Sequence, residues 1–164
     1  MTDTPSPTPA PTPASCPMCA FSDASGPNDD SVVYQDEHWL VRSISAAPAI
    51  AGWLILQARR HVAEPADWND AEAATFGPTL RQIEKTVRQV TGAVRVYTAS
   101  LNEGTPHFHS HILPRLPQMP NNATGFQAFG LSELARQGEV RADPTEVERV
   151  LSAIRERARK PQTV

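Results

Sequence analysis

The chain has 164 residues, of which 40% are hydrophobic and 20% are charged, and its formal net charge is −3. This length and composition are typical of one soluble globular domain with a core of ordinary size. Lysines and arginines form no block, which argues against stable binding to a nucleic-acid backbone. The longest apolar run, AIAGWLIL, has eight residues and is too short to span a bilayer.

The N-terminal segment MTDTPSPTPAPTPAS contains five prolines, almost no charge and no aromatic side chain. This composition is typical of a disordered, extended tail. The segment has neither the basic start nor the apolar block of a signal peptide, so we expect a cytoplasmic protein. We therefore predict a disordered tail over residues 1–15 and a single domain over residues 16–164 that ends in a helix.

The first half of the domain predicts three strands and a long helix. SVVYQDEHWLVRSI predicts a hairpin that turns at residues 35–37, and residues 52–60 predict a buried third strand. Residues 68–92 then predict a helix in which Asn69 and Glu72 form a capping box. Because proline disrupts helical hydrogen bonding, a kink or break is expected at Pro78.

The second half predicts two further strands and two helices. AVRVYTASLN predicts a fourth strand, and HFHSHILPR predicts a fifth that Pro114 stops. Residues 116–130 predict a long loop, residues 132–137 a short helix, and residues 143–160 a last helix capped by Asp143. Several strands with a helix after the third favour an α+β fold, with an antiparallel sheet of about five strands and helices packed to one side.

Three of the five histidines alternate within GTPHFHSHILPR. Alternate side chains of a strand share a face, so His107, His109 and His111 are predicted to line one face of the sheet, with neighbouring imidazoles roughly 6–7 Å apart. This spacing suits the binding of a phosphate or of a metal ion. A solvated polar strand is the alternative, and three aligned histidines before a Pro-Arg exit make it the less favoured one.

The two cysteines of the chain, Cys16 and Cys19, stand in the sequence CPMC. A disulfide framework usually needs more cysteines, whereas a close pair in a reducing compartment more often binds a metal or is redox-active. A redox pair is expected after a buried strand, at the start of a helix. Because this pair follows a proline-rich tail, metal binding is the favoured interpretation.

HFHSHIL resembles the His-x-His-x-His-x-x signature of the histidine triad (HIT) superfamily of nucleotide hydrolases and transferases. The similarity extends over about residues 16–116, through HWLVRSISAAPAIAGWLILQARRHV and LNEGTPHFHSHILPR, and is greatest to the branch that includes bacterial dinucleoside-polyphosphate hydrolases. The resemblance implies a HIT-like sheet, a homodimer, and cleavage at the α-phosphate of a small nucleotide. The substrate would be a dinucleoside polyphosphate or a nucleoside phosphoramidate, accompanied by a divalent cation.

The resemblance also implies roles for individual residues. His109 would attack the α-phosphorus and form a covalent nucleotidyl-histidine, with its other ring nitrogen bonded to a backbone carbonyl. His111 would contact the α-phosphate and stabilise developing charge. Asn102 matches a phosphate-contacting position of the family, and Ser45 aligns near its ribose-binding position. Thr105 is the candidate for a Ser or Thr that many relatives carry in a longer loop.

The first histidine of the triad, His107, has two implied roles. It belongs to the catalytic triad, and some family members also use this histidine as a ligand of a structural zinc. The other three ligands in those members match Cys16, Cys19 and His61 of this chain. Two cysteines and two histidines form a closed tetrahedral set, which suits structural rather than catalytic zinc.

Two other functions compete with the nucleotide hydrolase. One is a metallohydrolase whose His-x-His-x-His strand binds a catalytic zinc, with Glu103 as a nearby carboxylate. The other is a non-catalytic module that binds nucleotide or is stabilised by zinc.

For a nucleobase pocket, Val41, Ile44 and Leu54 are the candidates, whereas Trp53 is expected to be a core aromatic.

Overall fold

The structure, a computed structural model, describes residues 13–26 and 29–159. The strands are β1 (Val32–Gln35), β2 (Trp39–Ser43), β3 (Leu54–Ala58), β4 (Arg95–Ala99) and β5 (His109–Arg115), and the helices are α1 (Pro17–Ala24), α2 (Asp70–Thr91), α3 (Leu131–Arg136) and α4 (Pro144–Ala158). The strands form one antiparallel sheet in the order β1-β2-β3-β5-β4. The predicted α+β fold with about five antiparallel strands is confirmed.

The two faces of the sheet have different chemistry. One face packs against the long helices α2 and α4 through a buried apolar cluster that includes Trp39, Val41, Leu54, Leu56, Ile83, Val87, Phe108, Ile112, Val150 and Ile154. Removal of these side chains from water is the main stabilising contribution. Since side chains alternate along a strand, the opposite face carries the residues between them, which include His109 and His111. Side-chain alternation thus places the apolar core on one face of the sheet and His109 and His111 on the other.

Helix α2 is continuous from Asp70 to Thr91, and Pro78 lies inside it. The predicted capping box of Asn69 and Glu72 is present, with each side chain bonded to the backbone N–H of the other residue. A break at Pro78, one of the two expected outcomes, does not occur. The residue whose carbonyl loses its partner, Ala74, is exposed, as is Pro78 itself, so water can bond that carbonyl and the helix continues.

Strand β5 differs from the prediction at both ends. It begins at His109, two residues later than expected, because the backbone N–H of Phe108 bonds to the carbonyl of Val62 instead of to a strand. It then continues through Pro114 to Arg115. Proline is tolerated there because pairing with β3 ends at Ile112, so the missing N–H faces no partner on that side.

Three helical segments outside the long helices differ from the sequence prediction. Helix α1 begins at Pro17, directly after Cys16, and short 3-10 turns at Asn121–Ala123 and Gly125–Gly130 replace much of the predicted loop. The cysteine pair therefore does lie at the start of a helix, although the described residues before it, Pro13–Ser15, form a 3-10 turn and not a strand.

The rest of the predicted tail lies outside the described residues, as does Lys160 of the predicted last helix. The division into a tail and one domain therefore stays a prediction. Asp143 caps α4 as expected, since its carboxylate accepts from the N–H of Glu146 at 3.0 Å. Among the described residues, no helix combines the length and the apolar character that crossing a membrane requires.

Two glycines with positive φ, Gly52 before β3 and Gly92 after α2, allow a test of how closely the backbone before β3 packs against α2. Gly52 has φ +85°, and a Cβ there would lie 2.9 Å from the Cγ2 atom of Thr91, whereas Gly92 has φ +69° and open space. Gly92→Ala is expected to cost about 1–2 kcal/mol because of its left-handed backbone. Gly52→Ala is expected to cost about 1–3 kcal/mol more, because the added methyl overpacks the contact with α2. Urea denaturation of both variants measures this difference, and equal losses would contradict the close contact.

Candidate active site

The His109 ring is held at the start of β5 by its own backbone neighbourhood. Its Nδ1 lies 2.8 Å from the carbonyl oxygen of His107. A carbonyl only accepts hydrogen bonds, so Nδ1 carries the proton and Nε2 has a free lone pair. The predicted bond from the His109 ring to a backbone carbonyl is therefore present. The arrangement leaves one nucleophilic nitrogen on a half-buried ring.

Asn102 and Ser100 form hydrogen bonds with the backbone N–H and the backbone carbonyl of His109, respectively. The Asn102 side chain accepts from the His109 N–H at 3.2 Å, and the Ser100 hydroxyl donates to the His109 carbonyl at 2.7 Å. The Asn102 amide also donates to the Ser100 hydroxyl at 2.9 Å and to the Ala63 carbonyl at 3.3 Å. Asn102 is the one described non-glycine residue with positive φ, at 55°. Its amide is thus used within the chain, and its phosphate contact stays a prediction.

His111 lies next to His109 on the same face of the sheet, with ring centroids 5.9 Å apart. Its ring packs edge-on against Trp53 and Phe129, and the Trp53 indole N–H donates to His111 Nδ1 at 3.3 Å. Burial, helped by the electrostatic effects of the neighbouring His109 and Arg42, lowers the pKa of His111 to about 4. His111 is therefore neutral at physiological pH.

His107 does not join the other two rings of the triad. It is fully buried, and its Nδ1 lies 3.4 Å from the Sγ atoms of both Cys16 and Cys19. His61 completes the group, with its Nδ1 3.3 Å from Cys19 Sγ. All four potential ligand atoms lie within 4.8 Å of one another. The sequence-predicted ligand set is therefore assembled, and three sequence-distant segments meet at it.

The geometry of this group fits a tetrahedral metal ion. Ligands bonded to such an ion at about 2.0–2.3 Å lie roughly 3.5 Å apart, close to the sulfur–nitrogen distances of 3.3 and 3.4 Å. The Nε2–H of His107 donates to the Ala58 carbonyl at 2.7 Å, which leaves Nδ1 unprotonated for the ion. Burial and the neighbouring Cys16 raise the pKa of Cys19 to about 11, so metal binding would release a proton from this thiol.

A catalytic metal on the triad strand has no comparable support in the described part of the chain. The Cys16, Cys19, His61 and His107 group is the one set of three or more His, Cys, Asp or Glu residues there that could hold one ion. It includes neither His109 nor His111, and Glu103 is exposed outside it. The three histidines therefore divide between two sites instead of converging on one ion.

An apolar cavity of about 470 Å³ is lined in part by Trp53, whose indole contacts His111. Its lining includes Ile44, Ser45, Ala49 and Ala135. Of the predicted pocket residues, Ile44 lines this cavity. Val41 and Leu54 do not, because strand alternation directs both into the core beneath α2 and α4. A groove of about 850 Å³ between α2 and β4 contains none of the triad histidines.

Helix α1 covers two polar side chains on the histidine face that sequence reasoning did not identify. Gln57, which is fully buried and pairs in register with His109, donates to the Met18 carbonyl at 3.0 Å and to the Ser22 hydroxyl at 2.9 Å. Its amide oxygen accepts from Arg42, whose guanidinium stacks on Phe21 at 4.2 Å. In the sequence, the presence of Gln57 and Arg42 within otherwise apolar strands could have indicated that a further element covers them.

Two other candidates, Ser45 and Thr105, and the basic side chain of Arg60 after β3 have simpler surroundings. Arg60 pairs with the buried carboxylate of Glu72 at 2.6 Å, so it has a structural partner. Ser45 is exposed at the cavity mouth, and Thr105 is half-buried, with its carbonyl accepting from the His107 N–H at 2.7 Å. Neither hydroxyl is placed against His109 by a hydrogen bond.

The comparisons with known proteins agree with this architecture. A zinc-bound histidine triad family protein from Mycobacterium smegmatis superposes with a TM-score of 0.62 at 19% identity, covering 90% of this chain and 95% of that chain. A histidine triad protein from Bradyrhizobium japonicum gives 0.61 at 20% identity, covering 78% and 91%. No curated protein matches the sequence. The family model of the HIT domain matches residues 25–118, more than half of the chain. The chain therefore belongs to the HIT domain family.

Proposed function

We propose that the protein cleaves a nucleotide at its α-phosphate through a covalent nucleotidyl-histidine on His109. The observation that carries this proposal is the bond from His109 Nδ1–H to the His107 carbonyl at 2.8 Å, which leaves a lone pair on Nε2. Neutral imidazole is an effective nucleophile near neutral pH. HIT domain membership and the Sulfolobus tokodaii neighbour, described as a histidine triad nucleotide-binding protein, support a nucleotide as substrate.

The reaction would proceed in two displacements at phosphorus. In the first, His109 Nε2 forms a bond to the α-phosphorus, and the phosphoanhydride or phosphoramidate bond to the leaving group breaks. In the second, a water oxygen bonds to the same phosphorus, the nitrogen–phosphorus bond breaks, and a nucleoside monophosphate leaves. The water proton is released, and His109 regains its lone pair. Positioning and charge stabilisation supply most of the catalysis in such phosphoryl transfers.

His111 and the backbone clamp around His109 would serve this reaction. His111 lies one ring away from the nucleophile and would contact an α-phosphate oxygen. Asn102 and Ser100 hold the His109 backbone, so the nucleophile keeps its orientation as the phosphorus approaches. Thr105 remains the candidate to assist the leaving group.

We also propose that Cys16, Cys19, His61 and His107 bind a structural zinc ion. Two thiolates and two imidazoles are a preferred ligand set of zinc, and a closed set leaves no position for substrate. The Mycobacterium smegmatis neighbour is described as zinc-bound. In this chain the ion would tie α1 to the residue whose carbonyl orients His109. Its contribution is structural, since none of the ligands is the proposed nucleophile.

The apolar cavity beside Trp53 is the proposed nucleoside site. Its lining is mostly small or apolar, and Ser45 lies at its mouth, where a hydroxyl can bond to a ribose. Trp53 lines this cavity and its indole N–H bonds to His111, so a nucleoside bound there would lie on the far side of one ring from the triad. A divalent cation accompanying the nucleotide, a cytoplasmic location and a homodimer stay predictions. Strand β4 is an edge strand, and the apolar side chains of Val94 and Leu101 at its two ends are exposed.

His109→Ala is expected to lower the turnover of a dinucleoside polyphosphate by at least about 1,000-fold, because the nucleophile is lost. Intact-mass analysis after brief incubation should detect a nucleotidyl adduct on the wild-type protein and none on the variant. His38→Ala is the matched control, since His38 lies in the β1–β2 turn, and should keep turnover within about twofold. Near-normal turnover by His109→Ala would refute the nucleophile, and nucleotide binding without any turnover by the wild type would favour the non-catalytic module.

Ala135→Phe is expected to raise KM about tenfold and to change kcat less than about twofold, because it fills the proposed nucleoside cavity without touching the histidines. Steady-state kinetics with the same substrate measures both constants. Ala74→Phe places the same bulk on the exposed surface of α2 and should leave both constants unchanged. An unchanged KM in Ala135→Phe would exclude this cavity as the nucleoside site.

The double variant Cys16→Ser with Cys19→Ser is expected to lose one zinc ion per chain and to lower Tm by at least about 5 °C, because the ion no longer ties α1 to the sheet. Mass spectrometry of the bound metal and a thermal melt measure the two effects. Glu103→Gln is the control and should retain its zinc. An unchanged metal content in the double variant would refute the structural site.

A further inference from the structure

Trp53 is fixed in place immediately before β3. Its backbone N–H donates to the Ile50 carbonyl at 3.2 Å, and its carbonyl accepts from the Ile44 N–H at 3.1 Å. The side chain is only 1% exposed and packs between His111 and Phe129, with ring centroids 6.0 and 6.1 Å away. A buried indole usually directs its N–H to a partner. Here that partner is His111 Nδ1, at 3.3 Å.

The hydrogen-bond chemistry of the two rings determines where the His111 proton lies. An indole nitrogen donates and never accepts, so the imidazole nitrogen that faces it must carry a lone pair. Because His111 is half-buried and neutral, it has one ring proton, and that proton is then on Nε2. Phe129 offers no polar atom to this ring. Among the described residues, Trp53 is the one hydrogen-bond partner of the His111 imidazole.

We propose that Trp53 is a positioning residue that holds His111 as the Nε2–H tautomer, so that this ring presents a hydrogen-bond donor beside the nucleophile. The tautomer follows from the Trp53 contact alone, whereas its use as a donor to an α-phosphate oxygen rests on the proposed function. In the opposite tautomer, the Nε2 lone pair would face the phosphate and repel its oxygen atoms.

The proposal gives His109 and His111 complementary protonation on adjacent rings. The His107 carbonyl accepts from His109 Nδ1–H and leaves a lone pair on Nε2. The Trp53 indole donates to His111 Nδ1 and leaves a proton on Nε2. The two rings, with centroids 5.9 Å apart, therefore present one nucleophile and one donor. A phosphate needs both, since one of its oxygens gains negative charge as phosphorus is attacked.

Nitrogen NMR of protein labelled with ¹⁵N in its histidine rings tests the tautomer without any substrate. The His111 signals are assigned by their loss in His111→Gln. In the wild type at pH 7, His111 should have an unprotonated Nδ1 and a protonated Nε2. In Trp53→Phe, which keeps an aromatic ring but removes the N–H, the two nitrogens should shift toward the averaged values of an imidazole that exchanges between tautomers. The kcat should fall at least about tenfold, because the donor is no longer fixed.

Trp39→Phe is the matched control for this experiment. It also removes a buried indole N–H, which donates to the Thr75 hydroxyl at 2.9 Å, but on the opposite face of the sheet. The His111 signals and the kcat of the folded control should equal those of the wild type, so a general loss of stability cannot imitate the expected result.

A protonated Nδ1 on His111 of the wild type would overturn the proposal, even if Trp53→Phe fails to fold. Unchanged His111 signals in a folded Trp53→Phe would overturn it as well. The wild type showing the expected tautomer while cleaving no nucleotide would refute the proposed function and leave the role of Trp53 in fixing the ring intact.

Discussion

The candidate site depends on His107, which makes a contact through each of its polar groups. Its Nδ1 faces the two cysteine sulfurs, its Nε2–H donates to the Ala58 carbonyl, and its own carbonyl accepts from His109. A buried imidazole without these partners would lose its hydration at a cost of about 1–3 kcal/mol per unmet group. The same residue thereby joins helix α1, strand β3 and the start of β5. Any shift of His107 would move the proposed nucleophile with it.

Three identical side chains acquire different chemistry from the partners that their nitrogens meet. A carbonyl faces His109 and a donor-only indole faces His111, so the two rings have opposite tautomers although only one residue separates them. The Ala58 carbonyl faces His107 Nε2 and holds the proton there, which leaves Nδ1 free for a metal ion. In each case the partner's capacity to donate or to accept decides where the proton lies. The different roles of the three histidines therefore depend on the hydrogen-bond partners of each ring and not on the spacing of the histidines in the sequence.

One face of the sheet forms the apolar core that stabilises the fold, and the other face carries the candidate site. Helices α2 and α4 bury the apolar face, whereas α1 lies over the polar side chains of the other. Gln57 and Arg42 are tolerable inside the sheet because α1 and the neighbouring strands satisfy their hydrogen bonds. Burial lowers the pKa of Arg42, but a guanidinium keeps its charge. That charge helps to keep the nearby His111 neutral.

Much of the fold could be predicted from local patterns. Alternation and helical spacing predicted the five strands and the two long helices, and the capping box of α2 and the cap of α4 were predicted by residue type alone. Strand alternation likewise put His109 and His111 on one face. Prolines were less informative, because their effect depends on whether the freed carbonyl or the missing N–H meets a partner. At Pro78 water can satisfy the carbonyl, and at Pro114 the neighbouring strand has ended.

The sequence by itself thus determined the fold class, the triad and, through its resemblance to a family, the identity of the four metal-ligand candidates. Only the tertiary structure decided which partner each histidine nitrogen meets. Cys16 and His107 are 91 positions apart, and Trp53 and His111 are 58 apart. Strand register and the docking of α1 bring such residues together, and no local pattern encodes either. The roles of Trp53, Gln57 and Arg42 became visible only once those long-range contacts were in place.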